Sequence, residues 1–327
     1  MNTSYVYSAT RVNALGNELL SQTDIDRLLV ATPGEELQTA LKETYLASYV
    51  LQVPGEDVAE AIEATLIEAK ELISRIAPDG LLLSLLWVQY DIHNLRVFAK
   101  ATGKGMNLET LGVYTSERGM YAPATLYEHA TDSTLDRLQI DWQASYDIAV
   151  RHVEAGELDQ VDAVFDALLF TSIKRISDRC TDKFLHRYVT AVIDTYNAKS
   201  TLRRAHLKAA ALKPGFITGG TFAEGEIGSK EHVVSALENL APGFFARAIE
   251  TYDATGNTSE LDARIDDYLI MLAKTASTDM FSSASLVLYY LHVRQAAANI
   301  RTIVVGLNSG MNESTIRSNL RLAYVNN

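Results

Sequence analysis

A polar motif that returns twice on a helical pattern constrains this chain most. Asp91-x-x-Asn94-Leu95-Arg96 is answered by Asp194-x-x-Asn197-Ala198-Lys199 and then, with the acid lost, by Ala296-x-x-Asn299-Ile300-Arg301. The asparagines stand 103 and 102 positions apart. Leu81, Leu85, Val88, Ile92, Leu95 and Ala99 step by four and three, which places them on one helical face. The same steps give Leu286, Tyr290, Val293, Ala297, Ile300 and Val304 in the third copy, and a weaker stripe from Phe184 through Ala191 and Ala198 to Leu202 in the second. The first and third copies close on Gly103-Lys104-Gly105-Met106 and Asn308-Ser309-Gly310-Met311, where glycine suits a helix stop. Glu157-Leu158-Asp159 returns as Glu260-Leu261-Asp262 at the same offset of 103. This pattern predicts three copies of one helical unit, at residues 1–112, 113–217 and 218–327. A period near 100 suits a closed three-part body better than a stacked array, whose repeats are usually shorter.

Composition narrows the function. With 47% hydrophobic and 21% charged residues the chain has the makeup of a folded globular protein. Its net charge of −12 repels a phosphate backbone or an anionic lipid surface, so nucleic-acid binding is not expected. A single cysteine, Cys180, cannot form an internal disulfide, and no signal segment opens the chain, which points to a reducing cytoplasm. The apolar run at residues 81–88 falls short of the roughly 20 residues that cross a bilayer, so no direct membrane insertion is expected.

The local pattern is helical throughout. A helix is expected over residues 5–20, a capped restart at Ser21-x-x-Asp24, and a capping box at Thr32-Pro33-Gly34-Glu35. Pro54-Gly55-Glu56-Asp57 punctuates the next boundary, a long helix runs to Ile76, and Ala77-Pro78-Asp79-Gly80 breaks it. Residues 112–123 read as a loop, residues 131–212 as helices with a turn at Ala155-Gly156-Glu157, residues 214–228 as the least helical segment, and residues 251–258 as a turn. No run of alternating β-branched residues interrupts the pattern. The fold class is all-α.

Catalytic and metal chemistry find little support. Ala101-Thr102-Gly103-Lys104-Gly105 resembles the end of a phosphate loop but has Phe98 at the earlier glycine and lacks the hydroxyl residue after lysine. Asp262, Asp266 and Asp267 are followed by Tyr268, Leu269 and Ile270, with no further acid to complete a magnesium site. No two histidines stand four apart, and Cys180 has no evident base despite Arg179 and Lys183 nearby. No cofactor or metal is expected. The Asp/Asn motif differs, because each residue costs roughly 0.5 kcal/mol in a helix interior relative to alanine. Either these side chains bridge helices and satisfy buried polar groups between repeats, or they line a surface that the three copies share. The candidate site residues are Asp91, Asn94, Arg96, Asp194, Asn197, Lys199, Arg203, Asn299 and Arg301.

Several of these residues carry a family resemblance. Tyr90-Asp91-Ile92-His93-Asn94-Leu95-Arg96 with Lys104-Gly105, Asp194-x-x-Asn197 through Arg203 to Phe216-Ile217-Thr218-Gly219-Gly220, Leu286 through Arg301, and Arg11-Val12-x-Ala14-Leu15 together resemble the central-stalk C subunit of V/A-type ATPases, called the d subunit in the vacuolar enzyme. Ala198-Lys199 departs from the bulky apolar residue more usual after the asparagine. The resemblance implies a funnel-like body of three helical subdomains about a pseudo-threefold axis, monomeric in isolation and without catalytic residues. It further implies a rotor component on the cytoplasmic face of the membrane, joining a shaft made by the D and F subunits to a proteolipid ring that moves H+ or Na+. The alternatives are a helical scaffold of another assembly, or a helical enzyme whose site is built from scattered residues.

Overall fold

The computed structural model describes residues 5–16, 19–50, 58–102, 106–207 and 216–321. Among them are sixteen α-helices and no strand. The first five are α1 (Val6–Gly16), α2 (Gln22–Val30), α3 (Glu35–Leu41), α4 (Ala47–Val50) and α5 (Val58–Ile76). Then come α6 (Gly80–Ala101), α7 (Leu108–Leu111), α8 (Pro123–Thr131), α9 (Trp142–Glu154), α10 (Leu158–Arg179), α11 (Lys183–Leu207) and α12 (Lys230–Leu240). The last four are α13 (Ala246–Thr255), α14 (Ser259–Ala276), α15 (Ala284–Asn308) and α16 (Glu313–Ser318).

By packing, the chain divides into two compact units, Met1–Pro78 with Arg247–Asn327, and Asp79–Ala246. In the first, α15 is the central helix, flanked by α1, α5 and α14, with α2 and α16 against it. Its stripe explains the position, since Leu286, Tyr290, Val293, Ala297 and Ile300 are all buried. In the second unit α6 and α10 pair most extensively, α8 and α9 cover α6, and α11 joins α10 to α12. Leu85, Val88, Ile92, Leu95 and Ala99 supply the buried face of α6, with Trp87 and Phe98 beside them. The three sequence copies partition the chain by pattern, whereas these two units partition it by packing.

Local signals explain most helix boundaries. Ser21 caps α2 with the capping box completed by Asp24, and Leu20 and Ile25, the staple positions on either side, are both buried. Asp79 caps α6 by accepting from the Leu81 amide at 2.8 Å, Pro123 opens α8, and Gly156 turns the chain at φ +77°. Gly310, at φ +70°, follows the end of α15 as the glycine in the third copy predicts. Its counterparts Gly103 and Gly105, the phosphate-loop-like lysine, and the Pro54 and Pro214 boundaries lie outside the described residues.

Four boundaries differ from the sequence expectation. The first helix ends at Gly16 rather than Leu20, because Leu20 is taken into the core ahead of the Ser21 cap. Helix α3 begins at Glu35, since Gly34 adopts φ +106°; the acid reaching back to Thr32 is Glu36, which accepts from the Thr32 amide at 3.0 Å, not Glu35. In the second repeat, helix starts at Pro123 instead of Thr131, because proline is pre-set for the first helical position. Residues 251–255 continue α13, whose Ala248, Ile249 and Tyr252 bury one face, and the turn waits for Gly256 at φ +69°.

Candidate functional site

Asp91 and Asn94 lie in the buried face of α6, both 0% exposed. Asn94 Nδ2 donates to the Ser116 carbonyl at 2.9 Å, while its Oδ1 accepts from the Ser116 amide at 2.8 Å. One side-chain amide thus satisfies both backbone groups of one residue, as a neighbouring peptide group does in a ladder. One turn earlier, Asp91 Oδ2 accepts from the Met120 amide at 2.9 Å and Oδ1 from the Tyr121 amide at 3.1 Å. The segment after α7 is therefore locked to α6 by backbone contacts, which buried peptide groups require in some form. Arg118 reinforces it from outside, stacking 4.3 Å over the Tyr90 ring and donating to its hydroxyl at 3.0 Å.

The second copy repeats this chemistry. Asn197 pairs with both backbone groups of Ile217, at 2.8 and 3.0 Å. Asp194 accepts from the amides of Thr221 and Phe222 at 2.8 and 3.2 Å, and from the Thr221 hydroxyl at 2.5 Å. In the third copy Asn299 pairs with Arg321 through the same two bonds, at 2.7 and 2.8 Å. Ala296 stands where the carboxylate would be, so this lock has one component rather than two.

Sequence reasoning missed the other half of each lock. A Cβ on Gly119 would stand 2.2 Å from Asp91 Oδ1, and one on Gly220 would stand 2.1 Å from Asp194 Oδ1. Neither glycine has a positive φ, so space rather than backbone freedom excludes a side chain. The signal was present: Gly119 and Tyr121 recur as Gly220 and Phe222 at an offset of 101. It is faint because the atoms being recognised are mostly backbone.

The basic candidates behave differently from the locks. Arg96 and Lys100 point to α10, where Asp166 and Asp162 receive them, and Asp166 also accepts from Tyr196 Oη at 2.9 Å. Burial, and then the Asp166 charge, push the Tyr196 phenol above its ordinary range, so it remains a donor. Lys199 is half-buried, and Arg203 and Arg301 are exposed. Cys180 is buried; that burial and the charges of Asp79 and Asp182 push its thiol up to about 11 against the smaller opposite pull of Arg179. No group of three His, Cys, Asp or Glu side chains among the described residues is placed to hold a metal ion. A cleft of about 540 Å³ lies among Phe98, Leu111, Tyr127, Tyr146, Val150 and Arg151 within the second unit.

The fold and its locks define an all-helical framework protein, in which buried carboxamides and carboxylates fix the irregular segments to long helices. Among the described residues no helix is long and apolar enough to cross a membrane. The family model for the ATP synthase (C/AC39) subunit matches residues 8–319, and the chain belongs to that family of V/A-type rotary ATPase subunits. It is 20% identical over 322 residues to the C subunit of the V-type sodium ATPase of Enterococcus hirae, covering 94% of this chain and 95% of that one. It is also 25% identical over 300 residues to the C subunit of the A-type ATP synthase of Methanothermobacter thermautotrophicus, and 24% over 302 residues to that of Methanosphaera stadtmanae. These two alignments each cover 83% of this chain and 75% of the relative.

Proposed function

We propose that this chain is the non-catalytic central-stalk component of a V/A-type ATPase, joining the D and F shaft to the proteolipid ring at the cytoplasmic face of the membrane. The near end-to-end match to the Enterococcus hirae protein, within a family matched over residues 8–319, carries this reading. The body is a funnel of three related subdomains, 1–112, 113–217 and 218–327, and it binds no cofactor.

The locks support the assignment physically. A part that transmits torque needs its irregular segments held against slippage, and buried hydrogen bonds to backbone resist displacement better than exposed side-chain contacts. Asp91, Asn94, Asp194, Asn197 and Asn299 serve as those locks rather than as the lining of a socket. With a net charge of −12 the protein is held through protein surfaces rather than by anionic lipid.

The test is affinity capture from detergent-solubilised membranes of cells expressing the tagged chain. Recovery of a proteolipid ring together with shaft subunits is expected. Recovery of an unrelated assembly would transfer the chain to a scaffold role, and magnesium-dependent ATP hydrolysis by the isolated chain would make it an enzyme.

A further inference from the structure

The buried carboxamides of Asn94, Asn197 and Asn299 use both of their ends, each donating to a carbonyl and accepting from an amide. A fourth buried carboxamide uses only one. Gln295, which precedes Ala296 on α15, is 4% exposed, and its buried Oε1 meets no hydrogen-bond donor among the described residues. Its Nε2 faces Asp267 Oδ1 on α14 across a long 3.4 Å. The other carboxyl oxygen, Asp267 Oδ2, lies 3.5 Å from Arg264 Nη1, one turn back on the same helix.

A buried acceptor without a donor is costly, so this one calls for a group that can supply a hydrogen. An ionised carboxylate only accepts, whereas a carboxylic acid has one O–H to give. An acid and a carboxamide can therefore close a ring of two hydrogen bonds, of which a carboxylate makes only the first.

The charged neighbours of Asp267 pull in both directions. On α14, Arg264 favours the carboxylate and Asp266 opposes it. Arg321, beyond α16, also favours the carboxylate, while its Nε lies 3.3 Å from Asp266 Oδ2. On α15 the facing groups are Gln295 and, one turn earlier, His292, whose imidazole burial and then Lys274 hold neutral. Burial outweighs them all and raises the Asp267 carboxyl above the usual aspartate range.

We infer that Asp267 and Gln295 form a proton-operated latch between α14 and α15. With a proton taken from solvent, Asp267 Oδ2–H donates to Gln295 Oε1 while Gln295 Nε2 donates to Oδ1. When that proton returns to solvent, the ring opens, the carboxylate turns to Arg264, and Gln295 Oε1 is left without its donor. Protonation thus fastens α14 to α15 and leaves Arg321 held by Asp266 alone. The latch lies within the first unit and does not depend on the central-stalk assignment.

Infrared difference spectroscopy on the full chain tests it at about pH 5, where an ordinary aspartate is ionised. The wild-type chain is expected to show the C=O stretch of a hydrogen-bonded carboxylic acid, lost in Asp267→Asn and shifted in Gln295→Leu. Arg264→Gln should carry that band to higher pH, since a group favouring the carboxylate has gone. Melting temperatures give the second readout. A carboxyl that the fold prefers protonated makes stability fall as pH rises through its folded-state value, and Asp267→Asn, always neutral and with an N–H to offer Oε1, escapes that loss. The variant should therefore match wild type near pH 4 and exceed it by about 3 °C at pH 7, a difference in which the His292 contribution, present in both chains, cancels. Absence of an acid band in the wild-type chain overturns the latch. So does a band that Gln295→Leu leaves unmoved, which makes the proton a matter of burial alone with water serving Oε1. Because Gln295→Leu keeps Asp267 in place, that comparison decides the matter even where Asp267→Asn fails to fold.

Discussion

Replacing Asp91 by alanine isolates the worth of a lock. The carboxylate is 0% exposed and accepts from two backbone amides, Met120 at 2.9 Å and Tyr121 at 3.1 Å. Alanine leaves both donors facing a space that no protein group fills. An orphaned buried donor costs about 1–3 kcal/mol, and hydrogen bonds to a charged acceptor lie at the upper end. Met120 is 40% exposed, so water relieves part of that cost and the expected loss is about 2–4 kcal/mol. At roughly 2–4 °C per kcal/mol for units of this size, the transition of Asp79–Ala246 should fall by roughly 5–15 °C. Asn94→Ala orphans one donor and one acceptor of Ser116 and should cost about 2–3 kcal/mol. Asn299→Ala should cost only about 1 kcal/mol, because its lock has no carboxylate and Arg321 can exchange its partner for water. Differential scanning calorimetry of the three variants measures the order directly. A shift under about 2 °C for Asp91→Ala, or an Asn299→Ala variant as damaged as Asp91→Ala, would refute the reasoning.

Gly119→Ala and Gly220→Ala should each destabilise the chain by about 2 kcal/mol or more, and the Gly119→Ala effect should shrink in an Asp91→Ala background because the clash partner is gone. Cys180 should resist alkylation in the native state at pH 8 and react only as fast as the chain unfolds, since its thiol is pushed up to about 11; labelling at the rate of a free thiol would contradict the buried placement. Burial, with Lys274 adding to it, pulls the His292 imidazole down to about 4, so the fold prefers it neutral. The unfolded chain then binds the extra proton, and stability should fall as pH drops from about 6.5 towards 4, by up to about 3 kcal/mol. His292→Gln should flatten that part of the profile, and an unchanged slope in chemical denaturation across the window would exclude His292 as its source.

The helices and many of their ends were legible in the sequence because their causes are local. Apolar residues at steps of three and four bury one face of α6 and of α15, and Ser21, Asp79 and Gly310 act within a turn of where they stand. Where those expectations failed, at Gly16, Gly34, Pro123 and Gly256, a single residue's backbone preference or the burial of a neighbour moved the boundary by up to about two helical turns. The motif itself was also visible, since Asp and Asn are poor choices inside a helix and their return marked them as paired with something.

What they pair with was decided by tertiary structure. Asn94 meets Ser116 and Asn197 meets Ile217, residues 22 and 20 positions away that offer only backbone groups. A peptide N–H is the same in every residue but proline, so composition carries no mark of the partner, and only the missing Cβ of Gly119 and Gly220 leaves a trace. The same holds for Arg96 and Lys100, whose carboxylates on α10 lie more than sixty residues away. Sequence alone specified that the cations recur at Lys199 and Arg203; packing determined that those of the first copy are neutralised within the chain while Arg203 remains exposed to solvent.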